Sequence, residues 1–167
     1  LGWDVAGKRD NTAQIYREVV HEDAIRIGGF NKAPDYCFRL GTTRKFYVEA
    51  KKPSIYIKED PAPAFQVRRY AWTAKLPISI VTDFEEFAVY DCRIPPRKND
   101  KPSVARIEYM TYVDYGKRWE ELYSRFSRDA VWNGSLDQYV ESTKIKKGTT
   151  EVDDAFLEDI EKWRALL

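Results

Sequence analysis

Histidine is nearly absent: His21 stands alone among 167 residues. One imidazole excludes a histidine-rich zinc site and any pair of imidazole catalysts, which leaves carboxylates, Lys, Ser, Thr and Tyr to carry chemistry. Cysteine is scarce too, with Cys37 and Cys92 in separate apolar stretches and no His or Cys at metal-ligand spacing from either. They read as buried free thiols of a reducing cytosol. No apolar run approaches the roughly 18 residues of a membrane span, which excludes a transmembrane protein. An excess of one charge is also missing, since 28 Lys and Arg face 27 Asp and Glu. The total therefore lacks the basic footprint of a nucleic-acid binder. The distribution is less even: residues 1–83 carry 14 Lys and Arg against 10 Asp and Glu, and residues 84–167 carry 14 against 17. The basic excess sits in the first half.

What is present is the composition of a globular protein, 43% hydrophobic and 33% charged with a mean hydropathy of -0.61. The length predicts one domain with an appendage. The opening Leu1-Gly2-Trp3-Asp4 has no initiator Met, basic leader or cleavage site, so the chain is expected to be a piece of a longer protein.

Punctuation by Pro and Gly divides the rest. A β-branched, partly alternating run from Ile15 to Ile27 reads as one strand stopped by Gly28-Gly29. Tyr36 to Leu40 and Lys45 to Ala50, separated by Gly41-Thr42-Thr43-Arg44, read as a hairpin. Helical spacing runs from Ala64 to Lys75. Strands are expected at Ile78 to Thr82, Glu86 to Asp91 and Ala105 to Thr111. From Asp114 onward the pattern is helical, and Thr150-Glu151-Val152-Asp153 resembles a cap before a helix over Ala155 to Leu167. The aromatics Tyr70, Trp72, Phe84, Phe87 and Tyr90 are assigned to the core, and Trp119, Tyr123 and Phe126 to a helix packing stripe. His21 is assigned a structural place.

The chemistry concentrates in the hairpin, Pro34-Asp35-Tyr36-Cys37-Phe38-Arg39-Leu40 and Lys45-Phe46-Tyr47-Val48-Glu49-Ala50-Lys51. Side chains two apart on a strand share a face, so Glu49 and Lys51 project together. Pairing around the turn brings Asp35 to the Glu49–Lys51 end. Two carboxylates, a backbone carbonyl and water form the oxygen-rich shell that Mg²⁺ prefers, and a lysine beside it can orient water or neutralise developing charge on a phosphoryl group. An acid followed two residues later by Lys also arises by chance roughly twice in such a chain, and an ion pair at a strand edge explains the triplet equally well. Both readings stay open on the residues alone.

Longer stretches carry a resemblance. Ala33-Pro34-Asp35-Tyr36, Phe46-Tyr47-Val48-Glu49-Ala50-Lys51-Lys52-Pro53, Gln66-Val67-Arg68-Arg69-Tyr70-Ala71-Trp72 and Val81-Thr82-Asp83-Phe84-Glu85-Glu86-Phe87 resemble the amino-terminal P-D-(D/E)-x-K nuclease domain of type IIG restriction and modification enzymes. The tail Phe156 to Arg164 resembles the start of the helical connector that joins this nuclease to an adenine methyltransferase.

The resemblance implies an α/β, restriction endonuclease-like fold, a mixed β-sheet core flanked by helices, with an endonuclease domain over 1–113 and a C-terminal helical extension over 114–167. It implies a Mg²⁺-dependent DNA endonuclease, with Mn²⁺ able to substitute, in a prokaryotic cytoplasm. Asp35 and Glu49 are expected to bind metal with the Ala50 carbonyl, Lys51 is the expected catalytic lysine, and Gln66 matches a glutamine that often follows on the next helix. Many relatives carry a further acidic residue on a helix before the Leu-Gly-Trp-Asp segment. Either that ligand has been cut away with the segment before Leu1, or Glu22 or Glu18 on the first strand substitutes for it, Glu22 being the expected metal ligand of the two. Lys52, Arg68 and Arg69, together with Lys58, are expected to contact DNA phosphates, with a solvated helix face as the plain alternative. Expected partners are double-stranded DNA, covalently linked methyltransferase and specificity regions, and a transient second copy on DNA. Two other readings remain: the nuclease domain of a type I restriction subunit, and an inactive nucleic-acid-binding or assembly module of the same fold.

Overall fold

The computed structural model describes residues 1–7 and 17–143. The expected helix over Ala155 to Leu167 and the connector-like tail lie outside the described residues. Six strands form one mixed sheet in the order β1-β4-β5-β6-β7-β8: Val19–His21, Tyr36–Leu40, Thr43–Ala50, Ile78–Thr82, Glu86–Asp91 and Arg106–Thr111. Only β5 and β6 run parallel. A parallel pair needs a crossover, and helix α1 (Pro61–Thr73) supplies it. Asp60 caps that helix by accepting a hydrogen bond from the Ala62 amide at 2.8 Å. The helix begins three residues earlier than periodicity suggested, because proline is tolerated in a first turn whose amides lack partners anyway.

Alternation along β5 sorts the two faces. Tyr47 joins the layer under α1, with Cys37, Val67, Tyr70, Ala71, Val81, Ala88 and Tyr90. Phe46 joins the opposite layer, with Ile80, Val89 and Met110 under Leu122, Phe126, Val131 and Val140. Those last residues belong to α3 (Trp119–Phe126), to α4 (Arg128–Trp132) and to a helical stretch over 135–143; α2 (Tyr112–Tyr115) is a single turn. Up to residue 143, the expected extension is thus one side of the same core. Its stripe is Leu122 and Phe126, while Trp119 and Tyr123 are exposed. Trp72 and Phe84 leave the core as well. Phe84 is 77% exposed, in a turn at φ 77, so its strand-like spacing does not carry it inward. Tyr70 and Tyr90 are buried, as are both cysteines; burial pushes each thiol up to about 12.

Of the expected strand from Ile15 to Ile27, the described residues 17–27 hold two strands in two sheets. Glu22 adopts φ 52 after β1, and the chain turns into a separate hairpin of β2 (Ile25–Ile27) and β3 (Phe30–Lys32), joined by Gly28-Gly29. Asp23 fixes the break. Its carboxylate accepts hydrogen bonds from Arg44 Nε at 2.7 Å and Nη2 at 3.0 Å, and pairs with Arg39 Nη2 at 2.5 Å. Burial works to raise the Asp23 carboxyl, but the two guanidinium groups outweigh it and hold it at about 2. A depressed folded-state value contributes stability above the ordinary carboxylate range and loses it as pH falls from about 4 toward 2. Thermal melts between pH 6 and pH 2.5 should therefore show an acid-dependent loss that shrinks in Asp23→Asn. Parallel pH profiles for the two proteins would remove Asp23 from that loss.

The β4–β5 hairpin closes through a two-residue turn, Gly41-Thr42, tighter than the four residues expected, with Leu40 opposite Thr43. Between Phe38 and Arg39 the partner jumps from Phe46 to Arg44, so Lys45 is the extra residue of a bulge on β5. Among the described residues no helix is long and apolar enough to cross a membrane.

Candidate active site

Asp35 immediately precedes β4, and Glu49 lies near the end of β5, whose partner Val48 sits opposite Tyr36. The register places the Asp35 carboxylate at the carboxyl end of β5, where Oδ2 accepts a hydrogen bond from the Ala50 amide at 2.8 Å. Glu49 follows Tyr47 onto the α1 face and is 2% exposed. Lys51 shares that face and donates from Nζ to Glu49 Oε1 at 2.8 Å.

Helix α1 closes the cluster. Gln66 Nε2 donates to Glu49 Oε1 at 2.6 Å, and its Oε1 accepts from Lys51 Nζ at 3.1 Å. One turn later the Tyr70 hydroxyl accepts from Gln66 Nε2 at 3.1 Å. The amide orientation follows from charge: its NH₂ group faces the carboxylate and its oxygen faces the ammonium. Sequence reasoning placed Tyr70 in the core without a role; the four-residue spacing from Gln66 was the signal available, since such pairs face one another on a helix.

Glu49 uses only one of its oxygens in this network. Its Oε2 is buried and has no hydrogen-bond partner. Burial pushes the Glu49 carboxyl upward, Lys51 pulls it down, and the nearby charge of Asp35 raises it again. A buried carboxylate oxygen without a partner is costly unless something pairs with it. Together with a second carboxylate it is a hard-oxygen donor set of the kind Mg²⁺ takes, so the residues present fit a divalent cation.

The expected additional acid does not join them. Glu22 meets Asp35 through its backbone, donating from N to the Asp35 carbonyl at 3.0 Å, and its side chain is exposed. Among the described residues no three His, Cys, Asp or Glu side chains gather as a metal-binding group. Glu18 is already engaged, since its carboxylate accepts hydrogen bonds from Arg128 and the Asp4 amide.

Of the expected phosphate contacts, Lys52 and Arg69 are exposed, whereas Arg68 has no exposed surface. Arg68 Nη1 pairs with Asp100 at 2.8 Å, and Nη2 donates to the carbonyls of Ile94 and Pro95 at 3.4 Å each. It is an internal tie between α1 and the loop after β7 and cannot reach DNA. Position decides between the neighbours: Arg68 stands four residues from Ala64 and three from Ala71 on the buried stripe, and Arg69 faces out.

No protein-family model matches the chain, and no solved structure matches it significantly. A curated protein does. Across 172 aligned positions the chain is 40% identical to the Type II restriction enzyme and methyltransferase RM.Eco57I of Escherichia coli. The match takes in the whole chain but only 17% of the relative's length. In its residues the chain is similar to one part of a restriction enzyme and methyltransferase.

Proposed function

We infer that the chain is the nuclease domain of a type IIG restriction and modification enzyme, hydrolysing phosphodiester bonds of double-stranded DNA with Mg²⁺ held by Asp35, Glu49 and the Ala50 carbonyl. The observation that carries this reading is the buried Glu49 carboxylate, with one oxygen shared by Lys51 and Gln66 and the other unpartnered, beside Asp35. A bound divalent cation polarises a phosphoryl oxygen and lowers the pKa of its water.

The residues of the chain do the rest. Asp35 is held in place by the Ala50 amide, and Gln66 fixes the Glu49 carboxylate by a short hydrogen bond. Lys51 presents a positive charge at the mouth of the site, where it orients an attacking water or offsets charge developing on phosphate. Of the expected phosphate contacts, Lys52, Lys58 and Arg69 are exposed and remain to hold DNA phosphates. The linked methyltransferase, a transient second copy on DNA and a cytoplasmic setting belong to the same reading.

Titrating the protein with Mn²⁺ in a calorimeter tests the metal assignment. The expected result is a binding heat that Asp35→Asn and Glu49→Gln abolish, together with nicking of plasmid DNA that EDTA stops. A heat indifferent to Glu49→Gln would overturn it and favour an inactive module of the same fold.

A further inference from the structure

The β2–β3 hairpin has no part in the catalytic cluster, yet it leads directly into it. Lys32 ends β3, and Asp35 follows three residues later, so their Cα atoms are at most about 11 Å apart. The base of the hairpin is tied to the same point, because Glu22 N donates to the Asp35 carbonyl. On one strand Ile25 and Ile27 are buried in the layer that contains Tyr70 and Val67 of α1. That packing makes the hairpin a supported arm.

The outer parts of the arm are free. Arg26 and Asn31 form an exposed cross-strand pair, and Phe30 and Lys32 stand on the edge strand β3, where Phe30 is 72% exposed. The turn glycines have φ of 56° and 86°, and a Cβ added at either would meet nothing within 4 Å. The tip is narrow and open. Residues 24–34 contain Arg26 and Lys32 and no acid. Of the acids that flank the arm, Asp23 is neutralised by Arg39 and Arg44, Asp35 belongs to the candidate site, and Glu22 is exposed at the base.

We propose that the β2–β3 hairpin is a DNA-contacting arm of the nuclease site, with Arg26 and Lys32 on phosphates beside the scissile one and Phe30 against the sugar and base surface. The proposal rests on the DNA nuclease reading above and names the element that seats the duplex. Charge complementarity selects the occupant: two cations on an arm that carries no acid of its own suit a polyanion. An exposed Phe on a slim arm matches the apolar wedges that proteins place against base steps. A three-residue edge strand offers little to an added peptide strand.

Anisotropy of a labelled duplex without divalent metal, measured across salt concentrations, separates the contributions. Arg26→Gln/Lys32→Gln should lower the slope of log K against log salt by about 2 and weaken binding about tenfold or more at 0.1 M salt. Phe30→Ala should weaken binding about fivefold with the slope unchanged. Wild-type protein that binds and cuts DNA while the double variant keeps its affinity and slope would overturn the arm and leave the nuclease reading standing. Wild-type protein that neither binds nor cuts would overturn both. If Phe30→Ala only converts a sedimenting dimer to monomer and leaves DNA binding intact, β3 is a self-association edge and the arm is wrong.

Discussion

Replacing Lys51 by Ala is expected to lower single-turnover DNA cleavage about 100- to 1000-fold, the usual loss when one donor that stabilises developing charge is removed. The fold should weaken without being lost, since the buried Glu49 gives up its ion-pair partner. Lys51 is partly exposed, and Glu49 Oε1 keeps its short hydrogen bond from Gln66 when the ammonium is gone. Duplex affinity should stay within about tenfold, because exposed cations elsewhere still meet phosphates. The informative pattern is therefore a lost rate with retained folding and binding, read from quenched time courses beside thermal melts and anisotropy. Cleavage within tenfold of wild type would take Lys51 out of the chemistry and leave it as the ion-pair partner of a buried glutamate.

Asp100→Ala is expected to destabilise the protein by about 3 kcal/mol, although Asp100 lies on a loop remote in sequence from α1. The cost arises at its partner. Arg68 is buried, its Nε already lacks a hydrogen-bond partner, and without Asp100 the guanidinium keeps only two long contacts to carbonyls. Removing one member of a buried pair leaves an uncompensated charge, which is why it costs more than removing both. Guanidinium unfolding should show a lower midpoint with an unchanged slope, and melting about 6 to 12 °C earlier. Arg68→Met combined with Asp100→Ala should recover part of the loss. A single-variant loss below about 0.5 kcal/mol would mean that Arg68 does not depend on this carboxylate.

The strands that the sequence announced plainly are those with apolar runs bounded by proline, glycine or acidic turns. Tyr36–Leu40, Ile78–Thr82 and Glu86–Asp91 appear with the expected limits. The β1–β2 break escaped notice because Glu22, a residue that ordinarily avoids positive φ, makes the turn, and the distant Arg39 and Arg44 secure it through Asp23. Strand β3 was missed because Phe30, Asn31 and Lys32 are all exposed and show no alternation.

The convergence of Asp35, Glu49 and Lys51 was legible from period two and one turn, and Gln66 came from resemblance. The burial of Arg68 could have been read from the stripe of Ala64, Val67 and Ala71, but its partner Asp100 could not, since nothing local links residues 32 positions apart. The second oxygen of Glu49 is likewise a three-dimensional fact, set by the packing of α1 over the strand.

The extra residue at Lys45 has a consequence for how narrowly the site is specified. Were Lys45 paired instead of bulged, Phe38 would lie opposite Lys45 and Tyr36 opposite Tyr47, which would set Asp35 beside Val48. Carried up the strand, that slip would point the glutamate and lysine away from Gln66, into the greasy layer beneath α3, while the two-residue turn stayed sound. A single supernumerary amino acid, four positions before Glu49 and on an unremarkable stretch of hairpin, thus acts as the phase setting for the candidate site. Closing the bulge with Lys45 retained would make a tidier ribbon and take the candidate site apart.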